Sequence, residues 1–361
     1  MTCGTEQDLR IPATALSAYA AELLRRAGMT AQQAAAVAGR LVESDLLGHR
    51  THGVAMLPTY LERLADGRIR TAGSIDVLND DGANFTWQAN RLPGAWVVDR
   101  AVSQAIERSR NHAVVTASIA ECTHIGALQA YFDEIAECKL MALMMVTDPG
   151  VASVAPFGGA DPVLTSNPLG ACIPTHGQPI LIDQSTSVTS NASVRQYELA
   201  GKKLPGKWLL DCEGVATDDP GALAGEPPGT IMPIGGEDFG YKGFAFGLLV
   251  ETFALALCGF GRSQPRVRGG QGVFLQLLDP DRFCGRQRFL DETTALARQC
   301  KASRPARGSD GVRLPGERAL MLKHEQQISG VALSAARVRQ VDDWAERLSA
   351  PHLASLACTR T

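Results

Sequence analysis

The sequence predicts an α/β protein with a helical start, on three observations. The first 70 residues or so carry helical periodicity with no strand-like alternation. From about residue 72, short β-branched runs alternate with amphipathic helical stretches. No GxGxxG follows any of those runs, which argues against a conventional Rossmann fold. With 361 residues the chain is nearly twice the roughly 150–200 residues of one ordinary domain, so two lobes, or one domain with an insertion, are expected.

A first helix opens at Ile11–Pro12–Ala13 and places Leu16, Tyr19, Ala20, Leu23 and Leu24 on one face until Gly28 stops it. Thr30–Ala31–Gln32–Gln33 has the form of a capping box before a second helix, Ala34–Leu46. A third helix is expected over Met56–Asp66, closed by Gly67. Strands are expected at Ser74–Leu78, Phe85–Gln88, Val114–Ile119, Leu140–Val146, Ile180–Ile182 and Gly272–Leu278. Helices Gly94–Arg110 and Gly126–Cys138 interleave with them, and a last helix spans about Ala332–Leu348. The apolar run Phe244–Cys258, about 15 residues containing Glu251, is too short and too polar for a membrane span and predicts a buried helix. Gly and Pro gather at Asp148–Pro168 and Asp218–Gly236, as in ordered loops around a site.

Composition narrows the function. Hydrophobic residues make up 45% and charged residues 20%, which excludes disorder, collagen and coiled coil. With 35 basic residues against 38 acidic, net charge is −3, so no nucleic-acid surface is expected. Nine cysteines without a CxxC fit reduced thiols in a cytoplasmic protein rather than a disulfide frame or a zinc site. The polar start MTCGTEQDLR does not read as a signal peptide. There is no GxxxxGK[ST], HExxH or GxSxG.

Six segments carry possible chemistry. Gly48-His-Arg-Thr-His-Gly53 sets His52 between two helices, either exposing its imidazole to a cleft or satisfying a nearby carbonyl, with Thr51 placed to orient the ring. Cys122-Thr-His-Ile-Gly126 puts His124 after a strand and before a helix whose amides suit an anion, or simply caps that helix. Ala155–Gly159 and Leu164–Gly170 let backbone approach a ligand, or form a structural loop. Pro179-Ile-Leu-Ile-Asp-Gln-Ser-Thr-Ser187 ends a strand in an acid and hydroxyls that could meet phosphate or ribose, or form a polar turn. Gly240-Tyr-Lys-Gly243 places Lys242, one of only seven lysines, at an apolar boundary, where it needs a partner or snorkels to water. Leu314-Pro-Gly-Glu317 is a turn.

Together and in order, DLLGHRTHGVAMLPTYLERLADGRI, CTHIGALQAYFDEIAE, VAPFGGADPVLTSNPLG, LIDQSTSV, GGEDFGYKGFAFGLLVE and GVRLPGERA resemble the malate/L-lactate dehydrogenase family that lacks a Rossmann fold, over roughly residues 10–335. The resemblance implies a mixed, largely antiparallel sheet for NAD(P) over about 73–289, with a small inserted subdomain near 190–235. It implies a helical lobe from 1–72 and about 290–361, and a homodimer with the active site near the interface.

It also implies roles. His52 matches the proton carrier, Thr51 its orienting hydroxyl, and His124 a second histidine beside the cofactor. Asp148 stands at a cofactor-side or catalytic position, with Thr147 beside it on the substrate side. Ile182, Asp183, Gln184, Ser185, Thr186 and Ser187 match the cofactor-binding strand end; Tyr241, Lys242, Gly316, Glu317 and Arg318 match further cofactor contacts. Three departures stand out. Met56 replaces the arginine expected to grip a substrate carboxylate, a contact a thioether cannot make; Arg50 could substitute. Ser193, in Asn191-Ala-Ser193, replaces an expected acid, and Gln184 replaces Met. The expectation is therefore an NADPH- or NADH-dependent oxidoreductase with a remodelled substrate site acting on a non-standard 2-oxo acid, ketone or imino acid; the alternative is a catalytically retired member that binds cofactor or a partner chain as a structural or regulatory protein. Arg195, Lys202 and Lys203 are candidates for a 2′-phosphate, with a slight lean to NADPH, or form a solvated face. No metal and no membrane are expected.

Overall fold

The computed structural model describes residues 8–263 and 270–356, so Cys3 and Cys358 lie outside the described residues. In chain order the elements are β1 (Leu9–Ile11), α1 (Ala13–Arg26), α2 (Ala31–Leu46), α3 (Leu57–Ala65), β2 (Asp76–Asp80), β3 (Asn84–Gln88), α4 (Gly94–Ser109), β4 (Val114–Cys122), α5 (Asp133–Glu137), β5 (Met141–Thr147), β6 (Leu169–Ile173), β7 (Ile180–Gln184) and α6 (Asn191–Leu199). They continue with β8 (Leu209–Leu210), β9 (Ala216–Thr217), β10 (Thr230–Ile231), α7 (Gly236–Ala254), β11 (Gln271–Leu278), α8 (Arg286–Lys301), α9 (Glu317–Ser329), β12 (Val331–Leu333) and α10 (Ala335–Arg347).

The main sheet has seven strands in the order β2-β3-β4-β11-β5-β6-β7. Only β3 and β4 pair in parallel, joined by α4 as crossover; every other neighbouring pair is antiparallel. The period of two along each strand divides its two cores. On β11, Val273, Leu275 and Leu277 point into a core with α4, while Phe274 faces Met145 and Val250 on the opposite side, under α7. β8–β10 form a separate three-stranded sheet beside α6.

A further core gathers Leu16, Leu23, Val37, Leu41 and Leu61 with Val331, Leu333 and Val341. The two ends of the chain meet there because β1 and β12 pair antiparallel, Ile11 opposite Val331. Thr30 and Gln33 form the capping box at α2, as the sequence predicts. Ion pairs fasten α2 to its neighbours: Arg40 to Asp99 at 2.6 Å and Glu134 at 3.0 Å, and Lys323 to Glu43 at 2.6 Å and to Asp133. α8 is tied instead to the β6–β7 turn, where the Thr293 hydroxyl donates to Pro174 O at 2.7 Å.

Three expectations are corrected. The helix expected at Gly126–Cys138 is broken into a 3-10 turn, Leu128–Tyr131, and the short α5. Gly126 has φ 83°, and Gln129 N–H turns away to Asp183 Oδ2 at 3.0 Å. No helix start therefore follows His124 to hold an anion. The helix around Phe244 begins earlier, at Gly236, and is buried on one face only: Phe239, Tyr241, Phe246, Leu248 and Leu249 are exposed. By length and composition alone, Gly236–Cys258 could cross a membrane, although Gly243, Gly247 and Val250 are buried within the protein.

Candidate active site

α2 ends at Leu46, and Gly48 turns the chain with φ 87°. His49 N–H then donates to Ser44 O and His52 N–H to His49 O, both at 2.8 Å. This tight turn delivers Thr51 and His52 to the end of β4. Thr51 Oγ1 lies 2.9 Å from His52 Nδ1. When Nδ1–H of the neutral ring donates to that hydroxyl oxygen, Nε2 carries no proton and is free to accept one.

The His52 ring stacks beside that of His124, centroids 5.6 Å apart and planes 21° from parallel. His124 follows β4 outside regular secondary structure, and Tyr60 of α3 anchors it. The Tyr60 hydroxyl is 2.7 Å from His124 Nδ1 and 3.2 Å from the His124 carbonyl. Burial pushes the His124 pKa down to about 3, and the neighbouring His52 adds to the shift. Burial also holds His52 below its ordinary value, against the pull of Asp183. Both rings are thus neutral at pH 7.

A stability test follows for His124. The folded pKa lies below the unfolded one, so the unfolded chain binds more protons between pH 6.5 and about 3. Stability from this group is complete above the unfolded value and falls as pH drops, by on the order of 1 kcal/mol per pH unit within that window. The midpoint of thermal unfolding should therefore fall less between pH 7 and pH 4 in His124→Gln than in the wild type.

An open cleft of about 2510 Å³ adjoins the turn. His49 and Arg50 line it, with Leu181, Ile182, Asp183, Gln184 and Thr186 from β7 and the residues beyond it. The opposite wall is the segment from Lys301 to Arg318 between α8 and α9. That wall seats closely: Leu181 N–H donates to Pro315 O at 3.1 Å, and a Cβ on Gly316 would stand 2.6 Å from that of Leu181. His49 Nε2–H donates to Gln129 Oε1 at 2.8 Å, 3.8 Å from Asp183 Oδ2.

Residues 11–342 match the sequence model of the malate/L-lactate dehydrogenase family. The chain belongs to that family. An L-lactate dehydrogenase of Cupriavidus necator is 30% identical over 317 residues, 86% of this chain and 89% of that protein. Hydroxycarboxylate dehydrogenase B of Escherichia coli K12 is 26% identical over 354 residues, 96% of each. The solved Δ1-piperideine-2-carboxylate reductase of Pseudomonas syringae superposes with a TM-score of 0.81 at 26% identity, covering 93% of this chain and 99% of that one.

Within this malate/L-lactate dehydrogenase framework, several candidate residues lie away from the cleft or have their polar groups engaged elsewhere. Thr147, a substrate candidate, is 1% exposed. Its hydroxyl lies 2.8 Å from both Asn167 Oδ1 and Glu251 Oε1, and Arg262 pairs with Glu251 at 2.8 Å. It braces the end of β5 rather than facing the cleft. Asp148 Oδ1 accepts Gly150 N–H at 2.8 Å and so shapes the following turn. The hydroxyls of Ser185, Thr186 and Ser187 donate to Ser187 O, Ser166 O and Thr189 O, so their protons are spent within the turn. Lys242 is exposed and sits over the Phe239 and Tyr241 rings at 4.9 and 5.8 Å, the snorkelling arrangement. Glu317 pairs with Lys301 and accepts Leu314 N–H at 3.1 Å. Met56 is half-buried against the helical core.

Of the 2′-phosphate candidates, Arg195 is exposed on α6 and Lys203 pairs with Asp218 at 3.0 Å; neither lines the cleft, nor does Lys202. Arg304, Arg313 and Arg318 do. Sequence reasoning missed Tyr60, His49 and Gln129. Tyr60 occupies a buried helical position that reads as ordinary core, and its hydroxyl partner comes from residue 124.

Proposed function

We propose that the protein is an NAD(P)H-dependent oxidoreductase that moves hydride between nicotinamide and the C=O or C=N carbon of a small, non-standard 2-oxo acid, ketone or imino acid. The observation that carries this reading is the pair of neutral, stacked imidazoles, His52 and His124, on the turn whose His49 and Arg50 line the cleft. The cleft also suits a dinucleotide. It is open and about 2510 Å³ in volume, its walls include apolar Leu169, Leu181, Ile182 and Phe246, and Gly316 allows the far wall to press onto β7. When bound, the nicotinamide supplies or accepts the hydride. Ile182, Asp183, Gln184 and Thr186 on one side and Gly316 and Arg318 on the other would hold it. The three arginines of the wall favour NADPH over NADH. This cofactor site would be a non-Rossmann one. The exposed apolar face of α7 suits a homodimer, and the chain's thiols suit the cytoplasm.

The protein's own chemistry centres on His52 Nε2. The neutral ring accepts a proton from a substrate hydroxyl in oxidation. The protonated ring gives one to the carbonyl oxygen or imine nitrogen in reduction. His124, held neutral by burial and anchored by Tyr60, orients the reacting group. Met56 gives a substrate carboxylate no charged partner, whereas Arg50 is exposed in the cleft.

Following NAD(P)H absorbance over a panel of 2-oxo acids, ketones and cyclic imines tests the proposal. Turnover of a non-standard member is expected, with malate and lactate poor substrates. Met56→Arg should raise kcat/KM for oxaloacetate or pyruvate roughly 10–100-fold, the worth of one charge-assisted contact. Efficient malate or lactate turnover by the wild type would contradict the remodelled site. Cofactor binding with no turnover across the panel would select the second reading, a retired enzyme, which Met56 also favours.

A further inference from the structure

Asp45 is 3% exposed in the last turn of α2. A buried carboxylate needs a hydrogen-bonding partner to offset lost hydration. Its Oδ2 accepts Val54 N–H at 2.7 Å. Val54 lies two residues after His52, so this bond reaches across the whole His49–His52 turn and closes it.

Gly53 makes the bond possible. A Cβ there would stand 2.1 Å from Asp45 Cγ and Oδ1 and 2.3 Å from Oδ2, so the carboxylate rests directly on the Gly53 backbone. The φ of Gly53 is −87°, outside the left-handed region that favours glycine. Glycine is required here for space. The carboxyl end of α2 is held from its far side as well: Gln326 Nε2 of α9 donates to Asp45 O at 2.9 Å and Leu46 O at 3.1 Å. The charges acting on the carboxylate are Arg337 of α10 and Arg50 of the turn; His49 and His52 are the titratable groups beside it in the turn. Burial pushes its pKa up to about 6, and the Val54 amide opposes that shift.

We propose that Asp45 is a positioning residue for His52: its carboxylate clamps the His52-Gly53-Val54 turn through Val54 N–H, and Gly53 supplies the space in which the clamp closes. The proposal rests on the reading of His52 as proton carrier, and it adds the residues that fix where the ring stands. The ion pairs of Arg40 and Lys323 are with Asp99, Glu134, Glu43 and Asp133, none of them in the turn.

The test uses the full chain with Asp45→Asn, Asp45→Ala and Gly53→Ala, and two readouts. The first is the NMR titration of the His52 imidazole in histidine-labelled protein, which needs no turnover. The second is kcat against KM on whichever substrate the panel gives. Asn keeps an oxygen for Val54 N–H, so Asp45→Asn should leave the His52 titration in place and kcat within about threefold, well short of the roughly 100-fold that about 1 Å of misplacement costs. Asp45→Ala and Gly53→Ala should both shift the His52 titration upward as the turn opens to water, and lower kcat on the order of 100-fold with KM little changed.

If Asp45→Ala does not fold, Gly53→Ala carries the same decision. Unshifted His52 titration in the folded variants would overturn the proposal, even with a lower melting temperature. A protein that turns over nothing, while its His52 titration shifts as expected, would contradict the proposed function and leave the clamp supported.

Discussion

His52→Asn should lower kcat/KM by on the order of 10²–10⁴ while leaving the dissociation constant of NADPH within about threefold. Asn fills the space of the ring and can donate a hydrogen bond, but it can neither take up nor release a proton. The direction of the pH dependence is also fixed. Burial holds His52 below its ordinary pKa, so reduction, which needs the protonated ring, should rise as pH falls from 8 toward 6. Oxidation, which needs the neutral ring, should hold steady at neutral pH. Both trends should vanish in His52→Asn. Steady-state rates in both directions check this, and an Asn variant with wild-type turnover would remove His52 from the mechanism.

Arg40→Ala should be strongly destabilising although it lies outside the site. Its guanidinium is 14% exposed and meets Asp99 at 2.6 Å, Ala130 O at 2.7 Å and Glu134 at 3.0 Å, over the Tyr131 ring. It joins α2 to α4 and to the turn before α5. Its removal strands Asp99, whose carboxyl burial already pushes up to about 6. Leaving a buried charge unpaired costs about 3 kcal/mol, a fall of roughly 6 °C in melting temperature. The stranded carboxyl is relieved by taking a proton, so the deficit should be larger at pH 8 than at pH 5. Calorimetry at those two pH values checks both statements.

Local signals made much of this legible. The apolar face of α1, Leu16 to Leu24, is buried as its spacing requires, and Thr30 and Gln33 cap α2 in sequence order. Alternation along β11 separates two cores. Features that depend on distant partners were not legible. β1 and β12 are three residues each and exist only through each other. β6 contains Gly170, where a Cβ would stand 3.0 Å from Leu128 and from Phe132, a constraint visible only once the sheet is assembled. The break in Gly126–Cys138 follows from hydrogen bonds to β7. The exposed face of α7 reads in sequence like any core helix. In the site, His52 and His124 are picked out by their neighbours in sequence. Tyr60 and Asp45 act on them from positions whose patterns are those of helix packing and a helix end.

The most direct measurement is a fluorescence titration of the purified protein with NADPH and then NADH. Saturable binding, tighter for NADPH, is the result this account predicts, and it should persist in His52→Asn. Binding of neither dinucleotide would contradict it, since the cleft between β7 and the Lys301–Arg318 wall would then not be a cofactor site.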